Sequence, residues 1–191
     1  MLINDVIEIL AIVLSLIYVF LVAREKKSCW IFAAISVIIF AYLCFQANLY
    51  LESILQIFYL AMAIYGFVQW GKTKKVQIKK YNYKNHLAIV CSGFLLTFIS
   101  GYIFNHYTDA AFPYLDSFTT IFSLFATIMV TRKILDNWLY WIIIDLASIY
   151  LYFNRGLEFT SFLFFIYTII AIFGYFSWKK KFQYENNNYG T

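Results

Sequence analysis

Two tryptophans three residues apart, with a carboxylate four further on, sit in a run apolar enough to lie in a bilayer. The run is Asn137-Trp138-Leu139-Tyr140-Trp141-Ile142-Ile143-Ile144-Asp145, continuing to Tyr152. At helical spacing Trp138, Trp141, Asp145, Ser148 and Tyr152 share one face, while Ile142, Ile143, Leu146 and Ile149 fall largely elsewhere. A carboxylate in hydrocarbon is expensive, so it normally faces a bundle interior or a wet cavity. Desolvated aromatic faces attract cations by ~0.5–2 kcal/mol. The combination suits a flat, positively charged ring with a polar appendage. Asp145 could instead bond a neighbouring helix and hold the bundle together. Trp138 lies near the end of its run and could be an interfacial residue, which leaves Trp141, a turn deeper, as the better stacking candidate.

A second stripe, Glu52, Gln56, Tyr59, Ala63, Gly66 and Trp70, recurs at three- and four-residue spacing in the third apolar run. Glu52 is nearer the outer surface and could equally be solvated. Tyr59 and Tyr167 could line a cavity or pack between helices. In the fifth run Thr120, Ser123, Thr127 and Thr131 form a hydroxyl stripe, best read as helix–helix packing or bonding to the backbone one turn earlier. Gly66 and Gly174 are expected to be close-packing points, and Trp70 and Trp178, beside lysines, belt residues. His86 and His106 stand at opposite ends of the fourth run and read as loop-edge residues. Cys29, Cys44 and Cys91 offer no pairing or metal spacing and read as small apolar residues. The chain lacks a phosphate loop, HExxH, GxSxG and a metal cluster, so no catalytic residue, cofactor or metal is expected. No series of carboxylates crosses the apolar runs, which gives no sign of ion coupling.

The elements that must position these residues follow from composition. Of 191 residues, 63% are hydrophobic and 13% charged, against ~45–50% and ~25% in soluble domains. An integral membrane protein accommodates that balance. Runs of about 20 apolar residues, long enough to span, occur near 4–23, 28–47, 50–70, 86–105, 113–131, 136–153 and 158–178. The chain therefore reads as all-α, one integral membrane domain over 1–191 with seven transmembrane helices. The net charge of +5 sits between apolar runs, a sign of membrane topology rather than nucleic-acid binding. If loops alternate sides, fourteen Lys and Arg fall on one side and Arg155 alone on the other. That bias puts the N-terminus outside and the C-terminus in the cytoplasm. The N-terminus lacks a positive region and a cleavage site, so no removable signal peptide is expected.

Sliding the chain by 108 residues (Trp30 onto Trp138) brings the first three runs onto the last three. Ser53 then falls on Ser161, Tyr59 on Tyr167, Gly66 on Gly174 and Trp70 on Trp178. The expected architecture is a parallel 3+1+3 repeat: repeat one over 4–72, a linker helix over 84–106 and repeat two over 112–180. Small sugar carriers of the SWEET type share this arrangement, with substrate near the midplane between repeats. Trp141 and Asp145 replace Ala33 and Val37 of the first repeat, so the polar features are unequally shared.

These motifs resemble the PnuC family of bacterial vitamin transporters. The resemblance rests on Asn137-Trp138-Leu139-Tyr140-Trp141, Asp145, Tyr150, Gly156-Leu157 and Gly174-Tyr175-Phe176-Ser177-Trp178. It rests also on Glu52-Ser53-Ile54-Leu55-Gln56 and Tyr65-Gly66-Phe67-Val68-Gln69-Trp70. It covers nearly the whole chain, and its tryptophan motif maps onto Trp138 and Trp141. It implies a seven-helix carrier in the bacterial inner membrane, working by facilitated diffusion, with nicotinamide riboside taken up for NAD synthesis. A cytosolic kinase would phosphorylate and trap the substrate, and homotrimers occur in the family. Thiamine, also a flat aromatic cation, is the alternative substrate. From other classes, a seven-span receptor would need an output surface, yet only a dozen-residue loop and a short tail, 182–191, are expected in the cytoplasm. A sugar carrier fits WxxW with an acid less well than a cationic heteroaromatic does.

Overall fold

Most of the described residues lie in helices. The structure is a computed structural model. It describes the backbone of residues 2–46, 50–72 and 77–189, and their side chains other than those of 2–5, 50–52, 188 and 189. Seven helices follow in order: α1 Leu2–Ala23, α2 Cys29–Gln46, α3 Tyr50–Trp70, α4 Tyr83–Tyr107, α5 Pro113–Thr131, α6 Asn137–Asn154 and α7 Glu158–Tyr189. They match the seven expected runs. Among the described residues six of them are long and apolar enough to cross a membrane. The exception is α6, whose 18 residues include Asn137, Asp145 and Asn154. Helix α7 continues past the apolar run of 158–178 through most of the short tail, to Tyr189. Its Lys, Gln and Glu residues end the apolar run but are good helix formers.

Two compact units divide the chain, Met1–Gln77 and Ile78–Thr191. In the first, α2 packs on both α1 and α3. Lipid offers no hydrophobic drive between helices, so association depends on close packing and interhelical hydrogen bonds. Both are present. The Ser36 hydroxyl donates to the Ala11 carbonyl at 2.9 Å, and the Ser53 hydroxyl to that of Ala41 at 3.2 Å. The Trp30 ring lies directly over Gly66, leaving no space for a β-carbon. The end of α1 turns through Glu25 at φ 52°, closed by Lys26 N–H to Leu21 O and Glu25 N–H to Val22 O, each 2.9 Å.

In the second unit the order of contact is α4 on α5, α5 on α6 and α6 on α7. Asn82 caps α4, its side chain accepting from Asn85 N–H at 3.0 Å. Gly93 and Gly101 let α4 approach Phe122 and Tyr114 of α5. Lys133 ends α5 at φ 54°, with Ile134 N–H to Met129 O at 2.9 Å. The segment before α4 pairs with the α5–α6 corner. Lys79 N–H donates to Lys133 O at 3.0 Å, and Leu135 N–H to Lys79 O at 2.7 Å. Between α6 and α7, Gly156 takes φ 72°, and the Ser161 hydroxyl donates to Ile149 O at 3.0 Å.

Candidate functional site

One band of α6 is closed off from solvent. Trp138, Asp145 and Ser148 are buried, at 1%, 3% and 3% exposure, while Trp141 and Tyr152 on the same face are half-buried. Ile143 and Leu146 lie on the open side, as the periodicity requires. Asp145 has no hydrogen-bond or ion-pair partner among the described residues, so no bond there accounts for a bundle-holding role.

The two tryptophans serve different neighbours. Trp138 turns to α7, with its ring 2.6 Å from where a β-carbon on Gly174 would sit. It meets Trp178 edge-on at 5.5 Å, and its buried indole N–H has no acceptor among the described residues. Trp178 is fully buried and Trp70 packs edge-on against Trp30 at 5.4 Å. The belt reading of Trp178 is therefore corrected: a small residue one turn away lets the ring pack inward. Gly66 and Gly174 are close-packing points, as expected. Trp141 turns instead towards α5. With Tyr140 and Phe118 it packs against the cluster of Phe122, Ala126 and Ile144.

Further along, Tyr152 stacks on Phe164 at 5.2 Å and 8°, and Phe164 meets Tyr167 at 5.8 Å. The Phe164 ring thus links Tyr152 and Tyr167, which lie fifteen positions apart in the chain (167 − 152). In the first unit Gln56 and Tyr59 are half-buried on α3, and Tyr59 meets Phe58 at 5.6 Å. Glu52 lies in α3 by its backbone, but its side chain is outside the described residues. Three of the four stripe hydroxyls on α5 bond to their own helix: Ser123 to Thr120 O at 2.8 Å, Thr127 to Ser123 O at 2.7 Å and Thr131 to Ile128 O at 2.7 Å.

Sequence reasoning missed a polar cluster at the start of α6. Asp136, only 2% exposed, accepts from Tyr81 N–H at 2.9 Å and lies 3.5 Å from His86 Nε2. His86 Nδ1 is 3.0 Å from the Tyr140 hydroxyl, and the two rings stack at 5.9 Å and 15°. His86 is therefore not a loop-edge residue. Its partners lie 50 and 54 positions away in the chain (136 − 86 and 140 − 86), too far for any local spacing to signal them. At the other end of α6, Arg155 pairs with Asp116 at the start of α5.

The description of the nicotinamide mononucleotide transporter family matches residues 5–180. The chain belongs to that family. It is a multi-pass inner-membrane protein of a transporter family, and the resemblance seen in the WxxW and YGxxxW elements is borne out. The nicotinamide riboside transporter PnuC of Escherichia coli (strain K12) is 28% identical over 202 residues, spanning 90% of this chain and 84% of that protein. Its namesake in Neisseria mucosa is 27% identical, with 89% and 70% covered. The riboflavin/roseoflavin transporter RibM of Streptomyces davaonensis is 23% identical over 126 residues, 62% of this chain and 59% of that one. A crystal structure of the vitamin B3 transporter PnuC superposes with a TM-score of 0.73 at 25% identity, covering 93% of this chain and 82% of the other.

Proposed function

We propose that the protein is a carrier, not an enzyme, for a cationic heteroaromatic vitamin, and that nicotinamide riboside is the substrate. The observation carrying this reading is the α6 face itself. A buried carboxylate without a partner among the described residues lies four positions after a half-buried tryptophan. A pyridinium ring would stack on Trp141 and supply the positive charge that Asp145 lacks. Similarity to two nicotinamide riboside transporters supports the choice.

In this reading Tyr152 and Tyr167 form the aromatic wall beyond Asp145, and Trp138 braces α6; within the first unit, Gln56, Tyr59 and Glu52 of α3 are further substrate-binding candidates. The chain is one membrane domain built as a parallel 3+1+3 repeat. Support for the repeat is local. Glu25 and Lys133, 108 apart (133 − 25), both adopt left-handed φ values. Ser53→Ala41 and Ser161→Ile149 hydrogen bonds also coincide at that offset, as do the Trp30–Trp70 and Trp138–Trp178 pairs. The lysine-rich loops face the cytoplasm, transport is facilitated diffusion, and a cytosolic kinase traps the substrate by phosphorylation. The working assembly is a homotrimer.

Counterflow in proteoliposomes tests the assignment. Vesicles preloaded with unlabelled nicotinamide riboside should take up labelled compound without any ion gradient. Exchange with thiamine but not with nicotinamide riboside would move the assignment to thiamine, and exchange with neither would remove the vitamin reading.

A further inference from the structure

Tyr140 neighbours Trp141 in the chain and shares its packing surface, the α5 cluster of Phe122, Ala126 and Ile144. Its ring stacks over Phe122 at 6.4 Å and 25°. A ring held only by such contacts can slide. Here the hydroxyl is fixed from outside α6. His86, on α4, places Nδ1 3.0 Å from it, and His86 is in turn set by the buried Asp136 carboxylate at 3.5 Å. That carboxylate is itself held by the Tyr81 backbone N–H at 2.9 Å. The neutral imidazole with hydrogen on Nε2 lets the series run in one direction: Tyr140 O–H donates to Nδ1, and Nε2–H points to Asp136. The Lys79 pairing with Lys133 and Leu135 clamps the segment just before Tyr81 to the same corner.

We propose that Tyr140 is a positioning residue, fixed by His86 and Asp136, which sets the Trp141 ring against the Phe122 cluster in the orientation that receives substrate. The polar chain acts through α4 and the α5–α6 corner, so it places a binding ring without touching the ligand. The inference rests on the reading that Trp141 faces substrate. Positioning of this kind changes affinity more than it changes the rate of the loaded carrier.

The test uses the full chain and nicotinamide riboside as probe. Tyr140→Phe keeps the ring and its stacking and removes only the hydroxyl. It should weaken equilibrium binding about fivefold, the loss of one hydrogen bond, and raise KM in parallel while maximal exchange stays within about twofold. His86→Gln and the double variant should show the same loss as Tyr140→Phe, not its product, because all three break one chain. Unchanged affinity in Tyr140→Phe, an equal fall in maximal exchange, or additive losses would overturn the proposal. If His86→Gln fails to fold, Tyr140→Phe decides alone. Trp141→Ala separates the two ideas. Binding lost in Trp141→Ala but intact in Tyr140→Phe overturns only the positioning role, whereas wild-type binding in Trp141→Ala overturns both.

Discussion

The ring of Trp138 stands perpendicular to that of Trp178, centroids 5.5 Å apart, directly over Gly174. Helices α6 and α7 meet here through a ring against bare backbone, a contact that lipid cannot replace.

Gly174→Ala places a β-carbon 2.6 Å from the Trp138 ring, which is itself buried. Overpacking of this kind costs about 1–3 kcal/mol. We expect a lower unfolding midpoint for detergent-solubilised protein, and the same for Gly66→Ala beneath Trp30. An unchanged midpoint would mean that the ring moves aside at no cost.

Lys133 adopts φ 54°, a conformation that costs a residue with a β-carbon about 1 kcal/mol more than glycine. Lys133→Gly should therefore raise the midpoint slightly, offset in part by greater freedom in the unfolded chain. The Lys79 pairing uses the backbone of residue 133 and survives the change. A lower midpoint would show that the lysine side chain outweighs the backbone strain.

The Asp116–Arg155 pair is about a third exposed on each side, where ion pairs contribute about 0–1 kcal/mol. A double-mutant cycle with Asp116→Asn and Arg155→Gln should give a coupling energy in that range that shrinks as salt rises. Coupling well above it would assign the pair more than a surface role.

Asp145→Asn keeps the shape and removes the charge. Binding of nicotinamide riboside should weaken by about tenfold or more, as expected for a charge-assisted contact in a dry site. Binding of the uncharged base nicotinamide should change little. Equal loss for both ligands would show that Asp145 holds the fold instead.

The seven helices and the buried band of α6 could be read from the sequence because apolar periodicity reports directly which face is covered. The tryptophan and glycine positions were legible as a register, but their contacts were not. Trp178 beside three lysines looks like a belt residue until Gly174 is seen to admit the ring of Trp138. The Asp136–His86–Tyr140 chain was invisible for a different reason. It joins residues far apart in sequence and includes a backbone N–H, which leaves no pattern in residue types. The extension of α7 beyond Trp178 was not legible, because charge ends an apolar run without ending a helix.

The central claim is that Trp141 and Asp145 form the surface that receives a cationic vitamin. Equilibrium titration of nicotinamide riboside against purified protein, followed by tryptophan fluorescence, tests it most directly. The account predicts saturable quenching in the wild type and its loss in Trp141→Ala, with the variant still folded by circular dichroism. Quenching and affinity unchanged in Trp141→Ala would contradict it.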